Sequence, residues 1–518
     1  MLKLTEKNRK WWILLAMSSS LALVFIDQTA LAVALPAIQR ELSLSNSLTQ
    51  WVINAYLLTL SAFILLGGKI GDRWGHKRTF LAGVVVFLVG SIGCALADSS
   101  NWLITLRALQ GIGGAFMMPS TNALVTNAFP DKERGRALGI YVALAAIFLA
   151  LGPLLGGLLT QLFNWRAVFW INIPVALISI ALALSSVPGS IRTEKLTMDW
   201  LGFFISMLFI GGFVLSFMEG PNWGWTSLSI ISLLAFSLLS LGAFILWETK
   251  NSHPFVELNL FRNPTFSILF SILLIIQSVG IVFVFWAIFL QNILHYTPLK
   301  AGLLLLPAML PIIFMAPIGG HLRDRYGSKK PMSWGALLVI LSLIWVGVFS
   351  HDQRYALLFP GFLGFGLGMP LILSGIMATV MSMVNIEQRG IASALLNCAR
   401  QLGTSMGLAV LAGLLGSLNK WQLSSILKQS THPFLSLKEY QIDGLLAQSA
   451  HAMHAVKHLS IQNLAWLNNM VAKAYTTAFS FIMFVAAFFA SITLVLIFRI
   501  PPKKIELPSL SAQHKSKN

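Results

Sequence analysis

Fourteen separate stretches of this 518-residue chain are apolar for about twenty residues or more, their cores running from residues 12–36 to residues 473–498. About 20 helical residues at 1.5 Å each cover the roughly 30 Å of a bilayer's hydrocarbon. Inside lipid every backbone N–H and C=O must be bonded, which leaves helices or closed barrels, and barrel strands alternate in polarity where these stretches do not. Composition points the same way: 56% of residues are hydrophobic and only 10% charged, against about 25% charged in soluble chains, so soluble cores would go uncovered. The expected fold class is an all-α polytopic membrane protein with fourteen transmembrane helices. No small-residue cleavage site follows the first span, so it is read as a retained helix and not a signal peptide. Cys94 and Cys398 lie far apart in apolar segments and offer neither a disulfide framework nor metal-ligand spacing.

Thirty-six Lys and Arg oppose 18 Asp and Glu, for a net charge of +18. In a soluble protein that excess suggests nucleic acid; in a membrane protein the basic residues gather on the cytoplasmic side. Here 25 of them fall in the two terminal arms and the loops after even-numbered spans, and nine in the opposite loops. Both termini are therefore expected in the cytoplasm, with the chain in the cytoplasmic (inner) membrane, and nucleic acid is excluded as a partner. The remaining two, Arg107 and Arg400, lie inside spans.

The stretch from Gly67 to Arg78 after the second span recurs from Gly319 to Lys330 after the tenth, at an offset of 252 residues. Glycines, an Asp-Arg pair, an aromatic residue and a basic ending all align. An even number of spans separates the copies, so the repeat is parallel, as in transporters built from two halves. The spans then divide 6+2+6: an N-terminal half over 1–190, two inserted spans over 191–260, and a C-terminal half over 261–500. That last half carries a long outer loop at 419–472, and a Pro-, Ser- and Lys-rich tail at 501–518 reads as disordered and cytoplasmic. Glycine allows a tight turn, and a carboxylate at a helix start meets free N–H groups. Gly68, Asp72, Arg73, Gly75, Lys77 and Arg78, with Gly320, Asp324, Arg325 and Gly327, are accordingly candidate gating residues that latch one half to the other.

An ionisable group in hydrocarbon costs about 2.5–3.5 kcal/mol and asks for a partner or a purpose. Asp27 lies nine residues before Pro36 in an outward-running span, and Arg107 five after Trp102 in an inward-running one. Both come out about 8–14 Å below the outer surface, where they can pair. A carboxylate between hydrocarbon and arginine is pulled two ways, because desolvation favours its neutral form and the guanidinium its charged one; small movements can then switch its proton. The bland reading is a permanent ion pair stapling helices 1 and 4. Gly139, Gly152 and Gly156 permit close helix approach and Pro153 a bend. Candidate substrate contacts are the polar and aromatic groups of otherwise apolar spans: Asn54, Tyr56, Gln110, Asn122, Gln277, Trp286 and Gln291. An aromatic pocket of this kind suits lipophilic cations. Trp51 and Trp102 read equally as interfacial anchors. In the outer loop, His451, His454 and His458 share a helical spacing, which reads as the solvated face of an amphipathic hairpin before it reads as a metal site.

Taken together, four stretches resemble the major facilitator superfamily, and within it the fourteen-span drug:proton antiporters. They are the Gly68–Arg78 loop, Asp27 to Pro36, Arg107 to Gly114, and Gly152-Pro153-Leu154-Leu155-Gly156-Gly157. The resemblance implies proton-coupled export of drug-like compounds by alternating access. It assigns Asp27 to coupling, Arg107 to tuning it, and Gly152, Pro153, Gly156 and Gly157 to antiport. No enzyme activity is expected, since the spans lack the convergent His, Asp or Cys groups it would need; no phosphate-cradling loop for a nucleotide-driven pump is present, so no cofactor is expected and the proton gradient supplies the drive. Expected partners are a small-molecule substrate, protons and the lipid bilayer. The outer loop offers a dock for a periplasmic adaptor protein and outer-membrane channel; otherwise a monomer is expected. Span 13 holds Asn397, Arg400 and Gln401 but none of the acids that some such antiporters carry there. A single titrating site, and neutral or monovalent substrates, follow. The alternative is a dedicated exporter of a metabolite, such as an amino acid or siderophore, on the same fold.

Overall fold

The computed structural model describes residues 6–189, 199–251, 256, 258–384, 389–429 and 461–501. The three loop histidines, the tail from residue 502 and the Asp324 side chain lie outside the described residues. Helices α1 (Glu6–Glu41), α2 (Asn46–Trp74), α3 (His76–Ala95), α4 (Ser100–Ala128) and α5 (Asp131–Leu162) form the first five spans, and α6 (Ala167–Trp170) with α7 (Asn172–Ser186) the sixth. α8 (Trp200–Trp223) and α9 (Leu228–Lys250) follow. The ninth span is α10 (Pro264–Gly280) with α11 (Val282–Asn292), and the tenth α12 (Pro298–Met309) with α13 (Pro311–Tyr326). α14 (Lys329–Phe349), α15 (Tyr355–Met383), α16 (Arg389–Gln429) and α17 (Ile461–Arg499) complete the bundle.

Among the described residues, 13 helical segments are long and apolar enough to cross a membrane. The fourteenth, α4, is long enough at 29 residues, but Arg107, Gln110 and Asn122 dilute its hydropathy. The least apolar span is thus the one that brings most of the polar chemistry inside.

Local sequence explains the helix ends. Ser45, Asp199, Ser227, Asn263 and Thr297 each accept a hydrogen bond from the first turn of the helix that follows, which satisfies N–H groups that have no partner within the helix. The repeated turn is built alike in both copies: Gly75 has φ +95° and Gly327 φ +77°, a region that L side chains avoid. Three spans read as continuous from hydropathy are interrupted, at Ile171, Ile281 and Leu310. Pro174 and Pro311 lack the N–H that would bond the carbonyl four residues earlier, which accounts for the first and last.

Small residues set the packing. α4 lies between α2 and α3, and α1 lies on α5. A Cβ on Gly67 would strike the Ala115 carbonyl, and one on Gly113 the Phe87 backbone, so glycine is what lets these backbones approach. In the second half, Trp286 stacks on Phe362 with ring centroids 4.3 Å apart, and Phe289 on Phe479 at 4.4 Å. The halves meet through α5 with α12, α1 with α11, and α2 with α16. The first two contacts lie at the end of the bundle away from the Gly67–Arg78 turn. α8 touches both α2 and α16.

Candidate proton and substrate site

Asp27 and Arg107 meet with no solvent exposure. Arg107 Nη1 donates to Asp27 Oδ2 at 2.5 Å and to Gln110 Oε1 at 2.7 Å, and Arg107 Nε donates to the Val52 carbonyl at 3.0 Å. The other carboxylate oxygen, Oδ1, accepts from Gln110 Nε2 and from Asn172 Nδ2, each at 3.2 Å. Ser91 Oγ accepts from the same two amides, at 2.7 and 2.9 Å. Four helices, α1, α3, α4 and α7, thereby converge on one carboxylate. The guanidinium lies 4.4 Å from the Tyr56 ring centroid and 5.8 Å from that of Phe169, so its faces are covered by rings while its edge is hydrogen-bonded.

Residue identity explains the arrangement. Gln110 sits three positions after Arg107 and so shares its helix face, and a Cβ on the neighbouring Gly111 would strike Tyr56 and Thr59. Asn172 opens α7 where α6 is interrupted. Ser91 and Asn172 are site residues missed by sequence reasoning, although Asn172 is the one amide in its apolar span, the signal that singled out Asn54.

The antiport stretch lies directly against this site. A Cβ on Gly152 would strike the Thr29 side chain and one on Gly156 the Ala30 backbone, two and three residues after Asp27. Thr29 Oγ1 donates to the Phe25 carbonyl at 2.8 Å and to Leu149 of α5 at 3.2 Å. On its other side Gly157 abuts the Pro298 backbone of α12, and Gly302 abuts Pro153. One short segment thus touches both the acid's helix and the opposite half.

The sequence-selected substrate residues scatter. Gln110 belongs to the Asp27 network, and the Tyr56 ring lies beside Arg107, its hydroxyl buried. Asn54 accepts from Ser405 of α16, and Gln291 Nε2 donates across the seam to the Val33 carbonyl at 2.8 Å. Trp286 is fully buried in its stack, its Nε1 3.3 Å from Met483 Sδ. Gln277 lies at the approach of Gly403 to α10, and Asn122 is part-exposed on α4. Trp51 donates to Glu219 of α8 at 2.8 Å, and exposed Trp102 to the Gly93 carbonyl at 3.2 Å. A cleft of about 550 Å³ including its open mouth lies between the halves, lined by Gln39, Ile53, Phe285 and Asn292 among others; none of the seven candidates lines it.

In the first gating turn, Asp72 pairs with His76 at 3.2 Å, and Lys77 donates to the Val187 carbonyl at 2.5 Å, capping the end of α7. Arg73 and Arg78 are exposed, and Gly68 is in ordinary contact with Pro119. In the second turn Arg325 lies over the Tyr326 ring, and Gly320 faces open space. These polar contacts stay within each turn's own half, and Ile70 of the first turn packs against the cluster that holds Phe203 of α8 and Phe244 of α9.

A two-half bundle with a carboxylate buried beside the seam defines a membrane transporter. The comparisons give the family: residues 17–408 match the model of the Major Facilitator Superfamily, and the chain belongs to it. It is 34% identical over 406 residues to the multidrug resistance protein Stp of Mycobacterium tuberculosis, covering 78% of this chain and 75% of that one. It is also 34% identical over 415 residues to the tetracenomycin C resistance and export protein of Streptomyces glaucescens, covering 79% and 77%. Among solved structures it resembles a bacterial homologue of the human lysosomal transporter Spinster in an inward-facing, unoccupied conformation, with a TM-score of 0.65, 19% identity and coverage of 96% and 99%.

Proposed function

We propose that this chain is a proton-coupled antiporter that exports drug-like or amphiphilic compounds across the cytoplasmic membrane by alternating access, with both termini cytoplasmic. Asp27 carries the reading. Charged, it accepts from α4 and α7 and holds α1 against them. Protonated, it loses the ion pair, while Arg107 keeps Val52, Gln110 and the two rings, so α1 is freed and the arginine is not. α1 also supplies the Val33 carbonyl to Gln291 and the backbone against Gly152 and Gly156, so its shift reaches the seam between the halves. Each charge moved through 100 mV is worth about 2.3 kcal/mol, enough to drive a substrate uphill by more than tenfold. No cofactor enters this cycle. The names of the two relatives, both concerned with drug resistance, support the choice of cargo. A periplasmic adaptor protein would dock on the long outer loop 419–472.

The test is substrate-induced proton movement in reconstituted vesicles across a compound panel. Asp27→Asn is expected to slow it at least tenfold while substrate binding persists; exchange at the wild-type rate would overturn the assignment. Responses to several unrelated amphiphiles support a drug exporter, whereas a response to one metabolite alone would favour the dedicated exporter.

A further inference from the structure

Arg400 is the second arginine inside the membrane, and the Asp27 network does not use it. It lies 11 residues into α16 and five into that helix's apolar stretch, which begins at Leu395, about 8 Å along the helix and so inside a roughly 30 Å core. It belongs to the second half but faces the first. Its guanidinium lies 5.3 Å from the ring centroid of Phe25 on α1, and its charge reaches the hydroxyls of Tyr56 on α2 and Tyr141 on α5. The residue is part-exposed, although its Nε is buried.

Among the described residues no carboxylate compensates this charge. Among the described residues Arg400 has no ion pair, and its buried Nε makes no hydrogen bond. Asp27, two residues along α1 from Phe25, is already committed to Arg107, Gln110 and Asn172. A cation–π contact contributes about 0.5–2 kcal/mol, less than the desolvation of a buried guanidinium demands. Across the seam, Asn54 Nδ2 is a further buried donor without a hydrogen bond. Asn54 accepts from Ser405, five residues along α16 from Arg400, so this first-half side chain meets the helix of Arg400 across the seam. An arginine can only donate. This part of the seam therefore has surplus donors and one positive charge, flanked by the apolar ring of Phe25.

We propose that Arg400 is the anion-recognising group of the substrate path, and that the chain selects amphiphiles bearing a carboxylate, sulfonate or similar acceptor-rich group over lipophilic cations. This deepens the export reading and rests on it only in taking the bound amphiphile to be cargo. It also reverses the preference suggested by aromatic content alone: Trp286 is spent on its own stack, whereas the charge that faces the seam is positive.

The test is equilibrium binding to the full-length protein in nanodiscs, without a proton gradient. Three probes share one dansyl fluorophore and one alkyl chain and end in a carboxylate, a primary amide or a trimethylammonium group. A hydrogen bond to a charged group is worth about 1.5–3 kcal/mol, at least tenfold in affinity. Wild-type protein is expected to bind the carboxylate probe at least tenfold more tightly than the ammonium probe. Arg400→Gln should weaken the carboxylate probe about tenfold and leave the amide probe within twofold, and Arg400→Lys should restore most of the loss. A wild-type preference for ammonium, no preference at all, or an equal loss of all three probes in Arg400→Gln would each overturn the proposal, the last by showing a packing role. Because no gradient is applied, selectivity can hold where proton coupling fails, and coupling can hold where selectivity fails.

Discussion

Arg107 and Asp27 are unequal partners at the scale of single residues. Removing the arginine leaves a carboxylate fully buried with only two amides to answer it, and breaking a buried pair in this way costs about 3–5 kcal/mol. Arg107→Ala is therefore expected to lower the thermal unfolding midpoint in detergent markedly. Asp27→Asn removes the charge but keeps an acceptor for Arg107, and should lower it by less than half as much; equal midpoints for the two variants would show that the pair does not hold α1 to α4. Asp27, Arg107 and Arg400 were legible in the sequence because a charge inside an apolar window stands out against its neighbours. Asn172 and Ser91 were not, since a neutral polar residue in a span costs little, and its partner depends on where its helix is turned.

Glycine decides how close the helices come. Gly156 lets α5 lie on the Ala30 backbone beside Asp27, and overpacking such a contact costs about 1–3 kcal/mol. Gly156→Val is expected to reduce transport more than tenfold by displacing α1. Gly211→Val, on α8 where a Cβ meets nothing within 4 Å, should leave transport within twofold; equal effects would mean that bulk alone, wherever placed, is harmful. The fourteen spans were readable because hydropathy averages over some twenty residues. That averaging also hid the interruptions at Ile171, Ile281 and Leu310, and with the first of them the position from which Asn172 reaches Asp27.

Alternating access requires the seam between the halves to open. In this structure it is closed at the end away from the Gly67–Arg78 turn, where the Leu299 amide donates to Gln161 Oε1 at 3.2 Å, Gln291 reaches Val33, and Gly157 abuts Pro298. Cys94 and Cys398 are both buried and free, so replacing them by Ser yields a background for linking cysteines introduced at Gln161 and Leu299. A short bifunctional reagent is expected to join them and stop transport reversibly; continued transport by the linked protein would show that this end never separates. The sequence by itself determined how often the chain crosses the membrane, and that an acid on helix 1 and an arginine on helix 4 sit at similar depth. Those properties depend on how each segment partitions between water and hydrocarbon, one segment at a time. Only the tertiary structure decided that Asn172 and Ser91 complete the Asp27 site, that Gln291 bonds across the seam, and that Arg400 faces the other half with no carboxylate partner among the described residues. Those outcomes depend on the rotation of each helix about its own axis, which in lipid is set by close packing between helices and not by hydropathy.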